Sequence, residues 1–91
     1  MRHTWNEREI EQTVDIYLSF PPGAARDRAC SDLARHINAR PANPINPVAV
    51  GQAVAAVGNA IAQRDAKPKP SATLRRIIER RRNAGMLNRR W

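Results

Sequence analysis

The chain has 91 residues, enough for one small domain, and although 42% of it is hydrophobic, only seventeen residues are Leu, Ile, Val or Phe while fifteen are alanines. A core this thin is either alanine-packed or completed by a second copy or a partner. One cysteine, Cys30, excludes an intrachain disulfide, and no run approaches the roughly 20 apolar residues of a membrane span. The formal net charge of +8 sits in residues 67 to 91, where Lys67, Lys69, Arg75, Arg76, Arg80, Arg81, Arg82, Arg89 and Arg90 face Glu79 alone. Residues 1 to 66 balance seven arginines against seven acids. The N-terminus runs into acidic residues without the apolar stretch of a secretion signal, so a soluble, cytoplasmic protein with no membrane association is expected.

The spacing predicts a first helix over 5–19. Thr4-Trp5-Asn6-Glu7 fits a capping box, Ile10, Val14, Tyr17 and Leu18 recur at helical spacing, and Pro21-Pro22-Gly23 stops the helix. A second helix over 25–39 places Ala29, Cys30, Leu33, Ala34 and Ile37 on one face and ends before Pro41. The connector 41–47 holds three prolines and is read as extended and stiff. Asn46-Pro47, a cap residue followed by proline at the first helical position, opens a third helix over 47–64.

That third helix is apolar around most of its girth, as a central helix would be. Val50, Val54, Val57 and Ile61 form one stripe, and Gly51, Ala55, Gly58 and Ala62 form a small-residue stripe suited to a dimer or partner interface. Gln52, Asn59 and Gln63 make a narrow polar strip. Residues 64–70 read as a hinge, and Ser71 caps a fourth helix over 72–84, with Gly85 as its stop and Met86 available for the contact beyond it. Leu74, Ile77 and Ile78 share a face, with Arg81 in the middle of that face one turn later. Two turns of this helix are therefore expected to dock, after which it carries Arg80, Arg81 and Arg82 into solvent or onto a ligand. The fold expected is all-α, a three- to four-helix bundle resembling a helix-turn-helix, with a body at 1–66 and a basic helix and arm at 67–91.

A neutral body with one basic end addresses a polyanion, and fourteen of the sixteen basic residues are arginine, which pairs bidentately with phosphate. The basic residues of 67–91 are thus the candidate nucleic-acid contacts, with DNA favoured over RNA. The competing reading is a solvated tail, or one that folds back on Glu7, Glu11 and Asp15, which align at i, i+4 and i+8. Asn and Gln bond adenine in the major groove, so Gln52, Asn59 and Gln63 are possible base contacts, although on their chemistry alone they read as a solvent strip. The acidic row reads as a solvated face whose mutual repulsion a nearby arginine would relieve. No nucleophile–base pair, metal-ligand spacing or phosphate loop is present in the sequence, so no catalytic residue, metal or cofactor is expected. Cys30 reads as a small core residue. The alternative to nucleic-acid binding is a protein-interaction module, such as a phage-encoded inhibitor of a host nucleic-acid-handling complex.

Trp5-Asn6-Glu7-Arg8-Glu9-Ile10 leading to Asp15-Ile16-Tyr17-Leu18, then Leu33-Ala34, then Asn46-Pro47-Val48-Ala49-Val50 through Asn59, resembles the Myb/SANT-like helical module. The likeness is to the version that precedes the nuclease domain of some bacterial HNH-type endonucleases. It implies a three-helix DNA-binding module without catalysis, of bacterial or phage origin, in which the third helix reads DNA and Gln52, Asn59 and Gln63 gain importance. The chain departs from the pattern in its proline connector at 41–47 and in having no lysine or arginine along the reading helix before Arg64.

Overall fold

Four helices make up the computed structural model, which describes residues 5–39, 45–62 and 71–90: α1 (Glu7–Ser19), α2 (Ala24–Asn38), α3 (Pro47–Ala62) and α4 (Ala72–Asn83). No strand occurs among the described residues. Helix α1 begins two residues later than its pattern predicts. The capping box is Asn6 with Glu9, not Thr4 with Glu7: Asn6 Oδ1 accepts the Glu9 amide at 2.8 Å, and Glu9 Oε1 accepts the Asn6 amide at 3.1 Å. With Asn6 as cap, Trp5 and Ile10 take the N′ and N4 positions of a hydrophobic staple, and both line one cavity.

Asn46 opens α3 as expected, its side chain accepting the Val48 amide at 2.8 Å. Just before it, the Asn38 side chain both donates to and accepts from the Ile45 backbone, at 2.8 and 2.7 Å, and seats Ile45 in the core. Positions 63 and 64 of the predicted third helix lie outside the described residues, as does the boundary drawn at 66/67. Ser71 caps α4 through the Leu74 amide at 3.2 Å. The helix closes in a Schellman turn around Gly85, whose φ of 69° suits a residue without Cβ. The Met86 amide donates to the Arg81 carbonyl at 2.7 Å and the Gly85 amide to the Arg82 carbonyl at 3.1 Å. Met86, expected to make the apolar contact past this turn, is 61% exposed, and Leu87 packs on the core in its place.

The core has two halves that share α1 and α3. Ile16 of α1, Cys30, Leu33, Ala34 and Ile37 of α2, and Val50 and Val54 of α3 form one half with Ile45. Val14 and Leu18 of α1, Val57 and Ala60 of α3, and Leu74, Ile77 and Ile78 of α4 form the other. Tyr17 packs against both. Helix α3 does touch all three other helices, yet it is less enclosed than its composition suggests, since Ala55, Ala56 and Ala62 remain exposed. Fifteen alanines leave little bulk, and the halves close by near approach. The clearest case is Gly58, where a Cβ would stand 2.7 Å from the Tyr17 ring.

Candidate nucleic-acid interface

Three arginines of α4 meet three carboxylates of α1. Arg76 Nη2 lies 3.4 Å from Glu7 Oε1, Arg80 Nη2 lies 3.0 Å from Glu11 Oε1, and Arg81 Nη1 lies 2.8 Å from Asp15 Oδ1. Secondary pairs join Arg80 to Glu7 at 3.7 Å and Arg81 to Glu11 at 3.9 Å. The pairs ascend both helices in the same N-to-C direction, so α1 and α4 lie side by side in the same sense. Apolar packing of Leu74, Ile77 and Ile78 sets this register, and the i, i+4 spacing of the acidic row matches it.

The expectation that α4 leaves the body after two turns is therefore corrected. Arg81 does fall on the apolar face, but its guanidinium finds Asp15 and the Glu11 carbonyl (3.5 Å) at the edge of the core, and its side chain is 13% exposed. Arg82 turns to Glu79 at 3.1 Å and to the Ile61 carbonyl at 3.3 Å. The chain then folds back so that the Arg90 amide donates to the Leu18 carbonyl at 2.8 Å. Arg26 occupies the same helix end, donating to the Phe20 carbonyl at 2.8 and 3.1 Å while lying 5.0 Å from the Tyr17 ring centre. Arg26 also donates to the Tyr17 carbonyl at 3.4 Å, so the Tyr17 and Leu18 carbonyls at the C-terminus of α1 are met by α2 and by the C-terminal segment. Neither contact was readable in the sequence, since nothing local to Arg26 or Arg90 marks a partner on α1.

Five of the nine predicted phosphate contacts remain well exposed. Arg75, Arg76 and Arg80 are exposed on α4, Arg76 and Arg80 on its edge beside α1, and Arg89 and Arg90 follow the Schellman turn. Arg75 forms no ion pair with any described residue. Arg81 and Arg82 are engaged internally, and Lys67 and Lys69 lie outside the described residues. On α3, Gln52 and Asn59 are exposed, and Gln63 is not among the described residues.

Of the small-residue stripe, Ala55 and Ala62 are exposed and Gly51 faces open space, but Gly58 is covered by Tyr17 and is not available to a second chain. Gly51, Gln52 and Ala55 instead line an open groove of about 490 Å³ with Cys30, Ser31 and Val48. Burial pushes the Cys30 thiol up, as does nearby Asp27, with Arg26 opposing, and the residue belongs to the core. No group of three or more His, Cys, Asp or Glu able to hold a metal occurs among the described residues. No described helix is long and apolar enough to cross a membrane. Comparison with protein-family models, with curated proteins and with solved structures finds no match to this chain.

Proposed function

We propose that this protein is a non-enzymatic nucleic-acid-binding module that grips the phosphate backbone, DNA in preference to RNA, through the outer arc of α4 and the segment after it. The observation that carries the reading is the concentration of the whole net charge of +8 in residues 67 to 91. Its support is that Arg75, Arg76 and Arg80 stand exposed along a docked helix, followed by Arg89 and Arg90. Arginines at fixed spacing lose less freedom on meeting phosphates than arginines on a loose tail. The resemblance to Myb/SANT-like modules adds a finer proposal, that Gln52 and Asn59 of α3 touch base edges.

The test is anisotropy of a labelled DNA duplex titrated with the full chain at several salt concentrations. If about five phosphates are neutralised, log K falls with log salt at a slope of about −4.5. Replacing Arg75, Arg76 and Arg80 together with Gln flattens that slope by about 2 to 3. Absence of binding at about 50 mM salt would overturn the proposal.

One observation favours a second reading, a protein-interaction module. The α2–α3 groove has Val48 at its rim, 66% exposed. Capture of a stoichiometric protein from native lysate that survives nuclease treatment, together with no binding to bare DNA, would favour it.

A further inference from the structure

We infer that the acidic row of α1 is an internal competitor for the polyanion, holding Arg76 and Arg80 until a phosphodiester backbone draws them away. The inference rests on the nucleic-acid reading above. Glu7, Glu11 and Asp15 stand at i, i+4 and i+8, a spacing that sets like charges against one another in an isolated helix. In the folded chain each meets an arginine of α4. Two of the guanidinium groups a ligand would use, those of Arg76 and Arg80, therefore already face carboxylate oxygens.

Exposure divides the row. Arg81 is 13% exposed and stays with Asp15, whereas Arg76 and Arg80 are 63% and 56% exposed. The outer two can swing to a ligand while Leu74, Ile77, Ile78 and Arg81 keep α4 docked. Four residues of helix rise about 6 Å, so Arg76 and Arg80 address neighbouring charges along one line. Each pair engages the fork through Nη2 alone, so a phosphate must displace or share that donor before it can pair bidentately. Carboxylates within about 4 Å of that fork also repel any phosphate brought to it, well inside the screening length of physiological salt. An isolated phosphate offers one site and loses this competition; a strand with several phosphates, also meeting Arg75, Arg89 and Arg90, wins it.

The test compares two variants of equal net charge, Glu7→Gln/Glu11→Gln and Asp27→Asn/Asp32→Asn. The second pair lies on α2, which makes no contact with α4. Circular dichroism first establishes that both keep the helical content of the parent. Binding of a labelled DNA duplex at about 50 mM salt is then measured for all three chains. The expected result is about tenfold tighter binding by Glu7→Gln/Glu11→Gln and at most about a twofold gain by the α2 pair. Equal gains by both variants, or none for Glu7→Gln/Glu11→Gln, would overturn the inference and leave the nucleic-acid reading standing. Failure of all three chains to bind would remove both.

Discussion

Arg81 and Asp15, 66 residues apart in the chain, meet across α1 and α4 at 2.8 Å, with the arginine side chain 13% exposed and the carboxylate 62% exposed. This half-sheltered pair is the innermost rung of the ladder between the two helices. Exposed pairs contribute little, and shelter on one side raises the contribution modestly. A double-mutant cycle with Asp15→Asn and Arg81→Met should give a coupling of about 0.5–1 kcal/mol. The outer Arg76–Glu7 pair should couple by less than about 0.5 kcal/mol and vanish in high salt. Urea denaturation of the four chains in each cycle measures both.

The two glycines of α3 should respond oppositely to alanine. Gly51 faces open space, so Gly51→Ala should stabilise the protein by about 0.5–1 kcal/mol through helix propensity alone. At Gly58 the new methyl would meet the Tyr17 ring at 2.7 Å, in a spot where Tyr17 packs against both halves of the core. Gly58→Ala should be at least about 1 kcal/mol less stable than Gly51→Ala. Thermal denaturation of the two variants side by side decides it.

Gly85 ends α4 at a φ of 69°, and the turn it permits brings Leu87 onto the core. Gly85→Ala should cost about 1 kcal/mol. Leu87→Ala should also destabilise, while Met86→Ala, at a side chain 61% exposed, should stay within about 0.5 kcal/mol of the parent. Equal losses at 86 and 87 in chemical denaturation would contradict the fold-back.

Cys30 is 4% exposed, and burial raises its thiol above the ordinary value. A thiol whose folded value is raised favours the folded state below the unfolded value and loses that contribution as pH rises through the folded one. Thiol labelling at mildly alkaline pH should therefore be slow in the folded protein and prompt in denaturant. Prompt labelling of the folded chain would contradict its place in the core.

The helices were legible because their signals are local. Ile10, Val14 and Leu18 keep period, Asn46-Pro47 marks a start, and Gly85 marks a stop. The first cap was misplaced because Thr4-x-x-Glu7 and Asn6-x-x-Glu9 both fit the pattern, and it is Asn6 that accepts the Glu9 amide, setting Trp5 at the staple position beside Ile10. Arg81 was misread for a different reason. A helical wheel shows that it shares a face with Leu74 and Ile77; that Asp15 waits beside that face agrees with the competing reading, in which the basic segment folds back on Glu7, Glu11 and Asp15. Which edge of α1 lies there depends on tertiary register, which no periodicity within α4 encodes. Leu87 follows a left-handed turn, past which the pattern of α4 no longer predicts direction.

The central claim is that the basic helix is a packed element of the fold and not a free arm. Amide hydrogen exchange at low salt tests it most directly. The account predicts that the amides of Ile77, Ile78 and Arg81 are protected to about the same degree as those of Leu18 and Val57, with which α4 shares its half of the core. Rapid exchange along 74–83, with the amides of α1 and α3 still protected, would contradict it.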